Sequence, residues 1–83
     1  MDRQEAFTTL KDSAVEVLAV DPAAVTEDAR FQDDLDADSL DLVELVMALE
    51  ERFDITVPES ELEGLETVGQ ALDLVLDKVG AAA

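Results

Sequence analysis

The chain contains no cysteine and no histidine among its 83 residues. Without thiols there is no disulfide framework, no thiolate nucleophile and no cysteine-based zinc site, and without imidazole the commonest general base and metal ligand is missing. Intrinsic hydrolytic catalysis is not expected, so no catalytic and no metal-ligating residue is assigned. Tryptophan and tyrosine are absent as well, and three phenylalanines stand among Leu, Val and Ala, which implies a core with flexible aliphatic walls. Positive charge is scarce: five Lys and Arg face 22 Asp and Glu, a formal net charge of −17. That balance excludes a nucleic-acid partner, because nucleic-acid backbones are bound by basic surfaces. No apolar run approaches the roughly 20 residues that span a bilayer, so no membrane insertion is expected. The segment from Met1 to Glu5 lacks a positive region followed by an apolar stretch, and a cytoplasmic location is the expectation.

Charge of this size favours disorder, but 48% of the residues are hydrophobic and they recur at helical spacing. The length suits one domain, residues 1–83, in which folding buries roughly 60% of the extended chain's surface. Between Glu5 and Leu18, Phe7, Leu10, Ala14, Val17 and Leu18 form one stripe and predict a first helix. Val20-Asp21-Pro22 stops it, with Asp21 placed to cap a short turn that has Pro22 at its first position. The stretch to Asp38 shows no sustained period and reads as a long loop pinned by Val25, Phe31 and Leu35.

Asp38, followed three residues later by Asp41, resembles a capping box and opens a second helix that runs uninterrupted to Phe53. Pro58 to Glu63 reads as a short helix or turn ending near Gly64. Thr67 and Gln70 make a further capping box, and Val68, Ala71, Leu72, Val75, Leu76 and Val79 mark the last helix, with Gly80 expected to end it and Ala81 to Ala83 expected to fray. The expected fold class is all-α: a four-helix bundle of three main helices and one short one, with a long first loop.

Two features carry function. At about 100° per residue, Leu42, Leu45, Val46, Leu49 and Phe53 share one side of the second helix, while Leu40, Val43 and Met47 fall on another, interleaved with Glu44 and Glu51. An isolated apolar residue there would simply meet a loop or a neighbouring helix. Three of them among carboxylates point to a docking face with apolar anchors and a negative rim for basic partners. Upstream, Asp33, Asp34, Asp36, Asp38 and Asp41 surround Ser39. Asp34-x-Asp36-x-Asp38 imitates the start of an EF-hand loop, but Ser39 stands where the turn glycine is required and Leu45 where the bidentate Glu is required, so calcium binding of that kind is rejected. Ser39 itself is either a helix cap or a modification site, since no histidine can activate it from within the chain.

The run from Asp38-Ser39-Leu40 through Val43-Glu44-Leu45-Val46-Met47-Ala48-Leu49-Glu50-Glu51 to Phe53-Asp54, preceded by Phe31-Gln32-Asp33-Asp34-Leu35 and followed by Val57-Pro58 and Thr67-Val68-Gly69, resembles the bacterial acyl carrier proteins. The resemblance covers nearly the whole chain. It implies a carrier without catalytic activity, whose serine receives a covalent 4′-phosphopantetheine arm from coenzyme A through a separate magnesium-dependent phosphopantetheinyl transferase. It makes Ser39 the attachment residue, flanked by Asp38 and Leu40. It makes the second helix, with Asp41, Val43, Glu44, Met47, Glu50 and Glu51, the surface read by partners. Those partners would be the basic surfaces of fatty-acid or polyketide synthase enzymes: malonyl transferase, ketosynthase, ketoreductase, dehydratase and enoyl reductase. The expected function is a free-standing, monomeric type II carrier of acyl thioesters in fatty-acid biosynthesis. A type II polyketide carrier is the near alternative, and an acidic helical adaptor without prosthetic group is the alternative of a different class. Two residues depart from the family pattern. Asp36 stands where many relatives have Gly, which bears on the loop before Ser39, although Asp tolerates left-handed backbone better than most residues. Arg52 interrupts the acidic end of the second helix and bears on partner contacts there.

Overall fold

A computed structural model describes residues 2–82. Its elements are α1 (Arg3–Leu18), a 3₁₀ turn (Pro22–Ala24), α2 (Ser39–Phe53), α3 (Glu59–Leu62) and α4 (Val68–Ala82). The all-α architecture of three long helices, one short helix and a long first loop is the one expected from the periodicity. Helix α1 packs against both α2 and α4.

Helix α1 starts two residues before the expected position because the Asp2 carboxylate accepts the Glu5 amide at 2.8 Å and so caps it. Its fully buried face is Ala6, Leu10, Ser13 and Ala14, with Phe7, Val17 and Leu18 only partly covered. The apolar stripe read from the sequence is therefore rotated toward the small residues, which let the helices approach. Buried Ser13 donates its hydroxyl to the Thr9 carbonyl at 3.0 Å, so no polar group is stranded there. Arg3 bridges the start of α1 to Glu27 in the loop and to Asp73 on α4, the latter at 2.7 Å. These hydrogen bonds, Glu27 first and then Asp73, raise the guanidinium pKa above its ordinary value.

The long loop is held at both margins. Val25, Phe31 and Leu35 are buried as expected, joined by Ala29 and Ala37. Its backbone is also paired to the segment entering α4: Phe31 donates to Glu66, Val68 to Ala29 and Gly69 to Glu27, each at 2.9 Å. At Gly69 a Cβ would stand 3.0 Å from the Glu27 carbonyl, so this close approach needs glycine. Phe31, Leu10, Leu45, Leu72, Val68 and Val75 make the centre of the core.

The Thr67–Gln70 capping box is present, with Gln70 N–H donating to Thr67 Oγ1 at 3.2 Å and Thr67 N–H to Gln70 Oε1 at 3.1 Å. One expectation is corrected: Gly80 does not end α4, which continues through it to Ala82. Gly80 has no left-handed φ, and the helix goes on through Ala81 and Ala82, alanine being the strongest helix former. Fraying of Ala83 falls outside the described residues. Short α3 has no side-chain cap. It is tied to α4 by Lys78, whose Nζ lies 3.1 Å from Glu61 Oε2.

Candidate functional site

The start of α2 is built from carboxylates. Asp38, extended at φ −85°, accepts the Asp41 amide at 2.9 Å, and the Asp41 carboxylate accepts the Asp38 amide at 3.2 Å, a complete capping box. Ser39 is the first residue of the helix and is exposed. Since Asp38 supplies the cap, the Ser39 hydroxyl is not needed for it, and the reading of this serine as a helix cap is excluded.

Each other aspartate of the run has a local task as well. Asp34 accepts the Arg30 amide at 2.7 Å and so closes the turn on which Phe31 enters the core. Asp33 lies 3.8 Å from the Arg30 guanidinium. Asp36 has φ 52°, the left-handed geometry that favours glycine and that Asp tolerates. It turns the chain so that the next amide, Ala37, donates to Phe31 at 2.7 Å and Asp38 meets the helix start. The acidic run thus builds the loop that delivers Ser39, with the charges of Asp34, Asp38 and Asp41 set on local backbone donors.

Beside Ser39 opens a cleft of about 460 Å³. Its apolar floor is Phe31, Ala37, Leu42, Leu62 and Leu65, and its rim carries Arg30, Gln32, Asp33, Asp38, Glu63 and Glu66. Leu42, expected in the core with Leu45, Val46, Leu49 and Phe53, is half-buried because it is one turn from Ser39 and faces this cleft; the other four are buried. An exposed hydroxyl at a fixed helix start, next to a slot with an apolar floor, fits a covalently attached flexible arm.

The apolar residues expected on a docking face lie exposed along α2. Leu40 is 67% exposed, Met47 60% and Val43 37%, with Glu44 and Glu51 exposed among them. Two of the residues expected on this face also have structural work. The Glu50 carboxylate accepts the Val57 amide at 3.0 Å and is half-buried, and Asp41 is committed to the capping box. Arg52 turns to α1 and pairs with Glu16, binding the two helices rather than breaking the acidic rim. The lining residues Arg30, Leu65 and Glu66 carry no periodic signal in the sequence; the chain brings them to Ser39 only through the loop pairing with residues 66–69.

Comparison with known proteins defines the class. Residues 8–75 match the family model described as a phosphopantetheine attachment site. The acyl carrier protein of Picosynechococcus is 49% identical over 78 residues, covering 94% of this chain and 96% of its own. That of Saccharopolyspora erythraea is 46% identical over all of this chain and 87% of its own length. The crystal structure of an acyl carrier protein from Thermotoga maritima superposes with a TM-score of 0.87 at 26% identity, covering 100% of this chain and 96% of that one. The chain belongs to the acyl carrier proteins. Its prosthetic group is a covalently attached phosphopantetheine, and it is a carrier rather than an enzyme, which sets aside the adaptor without prosthetic group. Among the described residues no helix is long and apolar enough to cross a membrane.

Proposed function

We propose that this chain, acting as one unit over residues 1–83, is a type II carrier of fatty-acid biosynthesis in the cytoplasm, a monomer that holds growing acyl chains as thioesters on an arm attached to Ser39. The observation that carries the reading is Ser39 itself: exposed, relieved of capping duty by Asp38, and bordered by the cleft. When bound, the arm supplies the thiol that this chain lacks. The chain's own residues fix the hydroxyl at the helix start, offer an apolar floor beside it, and present Leu40, Val43 and Met47 with Glu44 and Glu51 to partners. Buried apolar anchors give such a contact its strength, and the carboxylates steer basic enzymes toward it.

The test is mass spectrometry of wild type and Ser39→Ala after incubation with a phosphopantetheinyl transferase, coenzyme A and magnesium. One arm on wild type and none on the variant is expected. An arm on Ser39→Ala would move the site to another hydroxyl, with Ser60 on α3 the exposed serine to examine. Pathway is tested by offering the loaded protein to fatty-acid and to polyketide ketosynthases; efficient elongation by the first alone is expected.

A further inference from the structure

The cleft beside Ser39 carries an electrostatic problem. Its rim holds Asp33, Asp38, Glu63 and Glu66, and attachment of the arm at Ser39 adds the negative charge of a phosphodiester to the same place. Among the residues lining the cleft, Arg30 is the one cation. Its backbone is fixed: the amide donates to Asp34 at 2.7 Å, the carbonyl accepts the Asp34 amide at 2.9 Å and the Leu35 amide at 3.1 Å, and the residue bridges Thr67. Its side chain is 62% exposed, and among the described residues its ion pair is with Asp33, at 3.8 Å, a distance at which the pair is weak and easily exchanged for a better acceptor. A guanidinium is also the side chain best matched to a phosphate, because its planar donors meet two oxygens at once.

We infer that Arg30 is the counter-ion of the prosthetic group's phosphodiester: it leaves Asp33 when Ser39 is loaded and holds the root of the arm over the cleft. This rests on the assignment of Ser39 as the attachment residue. Arg30 acts as a positioning residue, taking no part in chemistry at the thioester. Pairing of this kind is made only in the loaded protein, so it stabilises the loaded form relative to the unloaded one.

The experiment compares unloaded and loaded protein for wild type, Arg30→Gln, Arg30→Lys and, as a control of equal charge change outside the cleft, Arg52→Gln. Arg30→Gln is expected to lower the melting temperature of the loaded form more than that of the unloaded form, by roughly 1–4 °C, in low salt. Arg30→Lys should restore at least half of this difference, Arg52→Gln should lower both forms equally, and 0.5 M NaCl should erase the difference. In wild type the Arg30 side-chain Nε–Hε resonance should move on loading, and the ³¹P resonance of the arm should differ between wild type and Arg30→Gln. If Arg30→Gln shifts both forms alike and the wild-type Arg30 resonance does not move, the counter-ion role is wrong although Ser39 still carries the arm. The Nε–Hε readout needs only wild-type protein and decides the matter even if the variant loads poorly. If wild type gains no arm by mass, the Ser39 assignment fails and takes this inference with it.

Discussion

At the scale of single residues, the start of α2 separates two roles that a serine at a helix terminus usually combines. Asp38 caps and Ser39 is left free, so substitutions at adjacent positions should have opposite consequences. Asp38→Ala removes the carboxylate that accepts the Asp41 amide and should cost about 1 kcal/mol, or roughly 4–8 °C in melting temperature. Ser39→Ala should change stability by less than about 0.5 kcal/mol while abolishing loading. Urea unfolding and intact mass on the two variants check both halves; a Ser39→Ala variant as unstable as Asp38→Ala would mean that the hydroxyl is part of the cap after all. Much of this was legible in the sequence, because a capping box is a local device: Asp38, Asp41, Thr67 and Gln70 lie three residues apart and need no tertiary partner to be recognised. Glu50 was not legible. On the helix it counts as one more carboxylate of the acidic face, and only the path of the chain beyond Asp54 brings the Val57 amide to it. The same holds for Arg30, whose place at the cleft depends on a bridge to Thr67 across 37 residues.

At the scale of elements, the helix faces followed from periodicity in outline, with the α1 stripe rotated and Leu42 half-buried, and the helix ends did not always do so. Leu45 and Met47 are two residues apart on α2, and the turn of the helix puts one at full burial and the other in solvent. Leu45→Ala should destabilise by about 2–5 kcal/mol as a large-to-small change in the core. Met47→Glu should leave helix content and melting nearly unchanged while impairing transfer of acyl groups to partner enzymes. Circular dichroism and a transfer assay distinguish them, and unfolding by Met47→Glu would show that this side chain belongs to the core. Helix α4 offers a different test. A glycine late in an apolar pattern reads as a stop signal, but its effect depends on whether the backbone takes a left-handed turn there, and Gly80 does not. Among the described residues a Cβ at this position meets nothing within 4 Å. Gly80→Ala should therefore stabilise the protein by up to about 1 kcal/mol through helix propensity and lost chain entropy. If Gly80 were a left-handed terminus, the same change would destabilise, so the sign of the shift in thermal melting is the readout.

At the scale of the whole molecule, charge is the dominant peculiarity. Four of the five cations are engaged in ion pairs, Arg3, Arg30, Arg52 and Lys78, and together they stand beside five of the 22 carboxylates. The rest repel one another over a small surface, and the helices that carry them are held together by a mainly aliphatic core. Added salt acts in two directions: it weakens the few attractive pairs and it screens the many repulsions. Exposed ion pairs contribute little each, typically about 0.2–1 kcal/mol, whereas the repulsion sums over all unpaired carboxylates, so screening of repulsion should win. Raising NaCl from about 20 mM to 0.5 M, where the Debye length falls well below 10 Å, should raise the melting temperature monotonically. Millimolar magnesium should act similarly at lower concentration, because a divalent ion screens more strongly. Asp34, Asp38 and Asp41 are already turned toward the backbone amides of Arg30, Asp41 and Asp38, which leaves a diffuse ion atmosphere rather than a coordination cage as the source of the effect. The dependence should accordingly be gradual, without a saturation point at micromolar metal. A melting temperature that falls with salt would show that the bridges of Arg3, Arg52 and Lys78 outweigh the repulsion. A sharp micromolar calcium transition would show that the Asp34 to Asp41 loop reorganises into a sited chelate.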